Sequence, residues 1–319
     1  MLPSHPSYIS ISLYQRFPNT NAQSATAMSS QFESANWCGL YWTPFVPLSR
    51  TQRSLKLPSG AGLYRIRVVG QDALAYIGQT GRNLRERVNC LNVGVHAVDM
   101  PYNDPHTAAC RLWSLRIELE YQFEVSVAEL NADKLSLMAY ECYLIWKYRT
   151  EAGSSTLCNF GRMHPQYIPS QNRSKNKRGY RLPDGECNPR CAQSIPPLVA
   201  TSTFESQEWM GIGWSAATPL STTGTSVAPS ASGVYRLLTQ DLSEIVYIGE
   251  SDNLRSRLAS HCRASVRAWP IMFAFARTPD ALAKCQRLEI ENDLIGAYFE
   301  ERRSAPRWQF AALPLRTKA

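Results

Sequence analysis

Long apolar runs, a basic leader and a cysteine framework are all missing from this 319-residue sequence. No stretch approaches the roughly 18 consecutive apolar residues of a membrane span, so the chain is not expected to cross a bilayer. No Lys or Arg precedes Arg16, and Ser, Pro and Tyr interrupt each apolar stretch near the start, which fits neither a secretory signal nor a transit peptide. The nine cysteines are odd in number and follow no framework spacing. Such usage fits the reduced thiols of a cytosol better than secreted disulfides, so a cytoplasmic protein is expected. Charged residues make up 19% of the chain and hydrophobic ones 44%, ordinary globular values that argue against a fibrous, mostly disordered or membrane-embedded protein. Acidic residues are the scarcer sign, 26 against 34 Lys and Arg, and the net charge of +8 suits nucleic acid or another anionic surface. The length suits two domains of roughly 100–150 residues each.

What the sequence does contain is a repeat of itself. Trp37, Gly39, Trp42 and Pro47-Leu48-Ser49 recur as Trp209, Gly211, Trp214 and Pro219-Leu220-Ser221. Gly62-Leu63-Tyr64-Arg65 and Tyr76-Ile77-Gly78 recur 171 residues later as Gly233-Val234-Tyr235-Arg236 and Tyr247-Ile248-Gly249. Asn83-Leu84-Arg85-Glu86-Arg87 matches Asn253-Leu254-Arg255-Ser256-Arg257 at an offset of 170. The offset then falls to 150, at Glu141 and Glu291, because the first copy holds about 20 extra residues, among them the turn formers Asn103 to Cys110. Each copy reads as two strands (63–69 and 73–78; 234–238 and 244–249), a short helix N-capped by Asn83 or Asn253, a third strand (119–127; 271–276) and a long helix (133–150; 281–302). The fold expected is α/β of the α+β type, two small domains that are each a three-stranded, mainly antiparallel sheet flanked by helices. Their bounds are 31–160 and 201–319, each with a Trp-containing lead-in. A basic linker over 161–200 joins them, and residues 1–30, rich in Ser, Ala and Asn, are expected to be disordered.

The long helices hold the most informative positions. Glu291 lies three residues after Leu288, four before Ile295 and seven before Tyr298, within an apolar stripe, and Glu141 stands likewise to Met138, Ile145 and Tyr148. A bare carboxylate there needs a cation, a hydrogen-bond network or a raised pKa. Glu289, with Cys285, Gln286, Asn292 and Asp293 as helical neighbours, is read as a solvated-face residue. Strand alternation puts Tyr64 on one face with Ile66 and Val68, where a plain core tyrosine is the alternative to a functional one. The four tryptophans are read as a packing collar.

In these residues the sequence resembles the GIY-YIG nuclease superfamily, over about 62–159 and 233–309. The resemblance implies a DNA phosphodiester hydrolase that uses Mg²⁺, or Mn²⁺. It assigns the metal to Glu141 and Glu291, and the general base to Tyr64 and Tyr235 with a pKa lowered near metal and arginine. Arg87 and Arg257 would neutralise phosphate oxygens, while Tyr76 and Tyr247 would position water or phosphate. His261 would assist proton transfer or hold the scissile phosphate, and Leu91 stands where the first copy should carry that histidine. Asn159 fills the family's asparagine position, where the second copy has Gln309. Asn159, Gln309, Arg85 and Arg255 are expected to touch substrate. Two copies in one chain imply a pseudo-dimer, monomeric as a chain, that addresses both strands of DNA in restriction, defence or repair.

Other readings stay open. Leu91 and Gln309 motivate a nuclease-derived DNA-binding protein with one or both sites inactive, and a third reading is a subunit that needs a protein partner for targeting. Cys158, His164, Cys187 and Cys191 invite a zinc site, against scattered free thiols. Residues 160–190 carry seven Lys and Arg against two acids, +5 in all, as a DNA-contacting arm or a plain solvated tether would.

Overall fold

The computed structural model describes residues 31–51, 55–188, 190–264 and 270–311. The N-terminal 30 residues, expected to be disordered, lie outside them.

The chain is mixed α/β and builds two four-stranded antiparallel sheets of the same strand order. The first contains β1 (Val46–Leu48), β2 (Gly62–Val68), β3 (Leu74–Thr80) and β4 (Phe123–Glu129) in the order β1-β4-β2-β3. Two helices lie between β3 and β4, α1 (Leu84–Val95) and α2 (Thr107–Leu119), and α3 (Lys134–Ala152) follows β4. A two-stranded ribbon, β5 (Tyr167–Ile168) with β6 (Tyr180–Arg181), precedes the second sheet. That sheet has β7 (Thr218–Pro219), β8 (Gly233–Thr239), β9 (Ile245–Ser251) and β10 (Ile271–Arg277) in the order β7-β10-β8-β9, with α4 (Leu254–Ala264) and α5 (Lys284–Arg302).

The three strands expected per sheet become four. The added strand in each case carries a proline, Pro47 or Pro219, and lies at the sheet edge, where a residue without an N–H is tolerated. The 103–110 segment is also more than a turn. Ala108, Ala109, Leu112 and Leu115 give Thr107–Leu119 a buried helical face, and Glu120 ends it in the left-handed conformation, so β4 starts at Phe123 rather than at residue 119. The expected caps are present: Asn83 Oδ1 accepts from Glu86 N–H, and Asn253 Oδ1 from Ser256 N–H, both at 3.0 Å.

Alternation divides each sheet between two cores. Leu63, Leu74 and Ile77 face α3 while Tyr64, Ile66 and Val68 face α1 and α2; Val234 and Ile248 face α5 while Tyr235 and Leu237 face α4. The tryptophans make the expected collar, with a hub the repeat pattern did not identify. Trp42 Nε1 donates to Trp37 O and Trp214 Nε1 to Trp209 O, while Arg65 and Arg236 lie 4.4 and 4.6 Å from the centres of Trp42 and Trp214. These are cation–π distances.

The two halves join along α3 and α5, which share one core. Equivalent positions meet there. Asn292 Nδ2 donates to Cys142 O at 3.1 Å, and a Cβ on Gly296 would come within 2.6 Å of Trp146 Cβ. Tyr143 meets Phe299 at 5.3 Å, and the reciprocal pair is the ion pair of Arg149 with Asp293. Position i facing j + 150 while i + 150 faces j is the signature of a local twofold axis.

Glu289 is the clearest correction. It is fully buried and accepts from Arg162 Nη2, Ser155 Oγ and Ile195 N–H, with Arg149 Nη1 at 3.4 Å. Of its helical neighbours, Asp293 joins this ion cluster, while Gln286 and Asn292 donate to the backbone at Gln193 and Cys142. The 161–200 segment is correspondingly no loose tether. Arg162 is buried against Glu289, Tyr167 is buried with its hydroxyl on Glu118, and Arg181 pairs with Glu118 and Asp184. Among the described residues, no helix is long and apolar enough to cross a membrane.

Candidate active site

The hairpin register sets the site. Tyr64 lies opposite Gly78, and Tyr235 opposite Gly249. Each tyrosine ring crosses its glycine so closely that a Cβ would come within 2.6 Å of the Tyr64 hydroxyl or 2.5 Å of that of Tyr235. At the other end, a Cβ on Gly62 or Gly233 would come within 2.1 or 2.3 Å of the carbonyl oxygen of Ala128 or Ala276 on the neighbouring strand. The glycine–tyrosine words of the repeat are therefore clearances that let a large ring lie flat across a hairpin.

In the second half, Tyr235 and Tyr247 stack at 6.0 Å with planes 24° apart, and the His261 ring lies 5.3 Å from each. His261, buried on α4, is 2.7 Å from the Tyr235 hydroxyl through Nε2. Burial, with the cation of Arg257 beside it, pushes the imidazole down to about 4, so it is neutral at pH 7 and can exchange a proton with the phenol. Burial likewise raises both tyrosines above the ordinary phenol value, and the pull of Arg257 on them is the smaller effect. The lowered Tyr235 pKa expected from the resemblance is thus not a property of the chain alone; as a base this phenol needs His261 or a bound cation.

Glu291 is half-buried on α5 and held up at about 7, mainly by burial and then by the charge of Glu250, with Arg257 acting in the opposite direction. A cleft of about 350 Å³ opens alongside, lined by Arg257, Lys284, Arg287, Glu250, Asn253 and Ser256. Glu250 is anchored by Arg287 at 2.9 Å. A desolvated carboxyl with oxygen neighbours and, among the described residues, no ion-pair partner of its own suits a hard divalent cation, which would favour its charged form.

The first half repeats the arrangement with one change of cover. Tyr64 and Tyr76 lie 6.0 Å apart, Arg87 bonds the Tyr64 hydroxyl, and Glu141 on α3 is raised to about 7 by burial, with Arg87 acting against it. Burial raises Tyr64 as well, against the lowered value expected of it. The segment leading into α2 closes over this site: Arg87 Nη1 donates to Pro105 O at 2.8 Å and Thr107 bonds Tyr76. Tyr76 is buried, where its counterpart Tyr247 is only partly so. Leu91 sits fully buried in the core.

Four expected substrate contacts are engaged elsewhere. Ile77 N–H donates to Asn159 Oδ1 while Asn159 Nδ2 donates to Ile77 O, at 3.0 and 2.9 Å. Gln309 makes the same pair of bonds to Ile248, both at 2.9 Å, so its extra methylene changes nothing in the clamp. Arg85 Nε donates to Leu57 O and Arg255 Nε to Ala228 O, tying each first helix to its lead-in. Cys158 lies in the first-half core and Cys191 packs in another cluster beside Met163, while Cys187 is exposed. Among the described residues, no group of three or more His, Cys, Asp or Glu is placed to hold a metal ion.

Two features of the second site escape a motif reading. Glu250, which follows Tyr247-Ile248-Gly249 directly, has Gln79 as its counterpart and so leaves no repeat signal. Lys284 at the start of α5 does recur, as Lys134 at the start of α3, and that recurrence could have marked it.

No protein-family model matches this chain. Neither a curated protein nor a solved structure matches it either.

Proposed function

We propose that the chain is a metal-dependent DNA endonuclease built from two GIY-YIG-like units in tandem, acting as a pseudo-dimer within one monomer. The observation that carries this reading is the contact of Tyr235 with His261, stacked with Tyr247 beside Arg257 and Glu291, together with the same tyrosine–arginine–glutamate grouping in the first half. Mg²⁺ or Mn²⁺, when bound, supplies charge to a phosphodiester oxygen and to the leaving 3′ oxygen. Glu291 and Glu141 would hold it. Arg257 binds the non-bridging oxygens. Tyr235 passes its phenol proton to Nε2 of the neutral His261 as its oxygen takes the proton of the attacking water, so the proton ends on the imidazole. Tyr247 orients water against phosphorus, and no covalent enzyme intermediate is formed. Five exposed cations of the linker, Arg173, Lys175, Lys177, Arg178 and Arg190, supply sequence-independent attraction to the DNA backbone. The nine free cysteines support a reducing compartment, the cytoplasm.

Supercoiled plasmid incubated with the protein and Mg²⁺ is expected to be nicked and linearised, and EDTA to abolish it. No metal-dependent cleavage of duplex, single-stranded or branched DNA would overturn the reading. Salt-sensitive DNA binding without cleavage, unchanged by substitution of both glutamates, would favour the alternative of a nuclease-derived binding protein.

A further inference from the structure

The first half lacks a histidine at position 91, yet a histidine stands against its site. We infer that His106, carried by the segment the second half does not have, is the substrate-contacting histidine of the first site and takes a phosphodiester oxygen as its ligand. This assignment rests on the phosphodiesterase reading of that site.

Both chain neighbours of His106 are bonded to the site's own side chains, Pro105 through its carbonyl to Arg87 and Thr107 to Tyr76. The chain at His106 is therefore fixed between contacts to the group that would bind phosphate and to the tyrosine that would orient it, and the charge of Arg87 is felt at the ring. His106 is 4% exposed, and it occupies the N-cap position of α2 without using its side chain as a cap. Its Nδ1 is buried with no hydrogen-bond partner among the described residues. A buried ring nitrogen left open is disfavoured unless something outside the chain fills it. Burial, then Arg87, pushes the imidazole down to about 4, as burial and Arg257 do for His261. The position on the first helix is meanwhile closed to polar chemistry, because Leu91 is fully buried among Val88, Leu112 and Leu115. The first half keeps the function and moves its carrier from α1 to the start of α2, where a neutral imidazole can donate an N–H hydrogen bond to a phosphate oxygen.

Two readouts test this. With the second site silenced by Glu291→Gln, His106→Gln is expected to lower plasmid nicking at least 100-fold, as much as Glu141→Gln does. Independently of turnover, the five histidines can be labelled at Cε1 and followed by NMR in the Glu141→Gln/Glu291→Gln protein as a phosphorothioate duplex is added. The His106 resonance, identified by its loss in His106→Gln, is expected to shift saturably while that of His96 stays put. A His106 resonance unmoved by bound duplex, nicking within threefold of the parent, or faster nicking on substitution would overturn the inference, the last by making the segment a cap. If the protein cuts nothing but the resonance responds, the nuclease reading fails and the phosphate contact of His106 stands. If neither occurs, both fail.

Discussion

Replacing Arg149 by methionine tests whether the two halves are held by the ion cluster between α3 and α5. Arg149 is fully buried, grips Asp293 through Nε at 2.7 Å and Nη2 at 3.1 Å, and stands 3.4 Å from Glu289. It also donates to Ser194 Oγ at 3.0 Å and to Ile195 O at 3.2 Å. Methionine fills much of the volume but takes the arginine from Asp293, leaving it the Leu198 N–H, while Glu289 keeps Arg162. Removing one partner of a buried pair costs about 3–5 kcal/mol. At about 2–4 °C per kcal/mol for a chain of this class, the melting temperature should fall by roughly 6–20 °C. Differential scanning calorimetry reads that loss. Adding Asp293→Asn should cost less in the Arg149→Met background than alone, because the stranded charge is then removed; a coupling of at least about 1 kcal/mol is expected from groups in direct contact. A melting temperature within about 2 °C of the parent, or purely additive losses, would refute the claim that this cluster fixes the halves together.

Substituting Glu291 by Gln should lower nicking by two to three decades, and Glu141→Gln by less, because the second site opens on a cleft while the first is covered; equal losses would refute that ordering. Burial holds Glu291 at about 7, so a proton competes with the cation there. Mg²⁺ affinity by titration calorimetry should therefore climb about fivefold from pH 6 to 7 and level off above 8, and a flat profile would count against Glu291 as ligand. In the metal-free chain the same carboxyl, raised from 4.5 to about 7, contributes stability in full below 4.5 and loses it as pH rises through 7. Phosphate contacts from the five linker cations should make DNA affinity fall roughly 500-fold between 50 and 200 mM salt, and a logarithmic slope shallower than about −2 would exclude that role.

Much of this was legible in the sequence because the repeat supplied its own control. The strands, both asparagine caps, the tryptophan collar and the face shared by Tyr64, Ile66 and Val68 follow from local pattern seen twice. Glu289 was misjudged because polar helical neighbours mean water only when nothing packs on them, and here Arg162 arrives from a segment 127 residues away. Asn159 and Gln309 looked like substrate ligands because an amide side chain in a motif does not announce that it will pair with a backbone. The edge strands were missed for being two or three residues long. His106 escaped because it belongs to the insertion in the first copy, which the second copy does not duplicate.

The clearance between each tyrosine and its glycine has a bearing on what such motifs can report. Gly78 and Gly249 make no bond to a reacting group; they register the footprint of an aromatic ring. A descendant of this chain could lose both glutamates while the hairpin still demanded the same small residue under the same large one. The most recognisable letters in the sequence are thus a gauge of shape, and the carboxylates that would decide activity are written in single, unadorned positions on the helices.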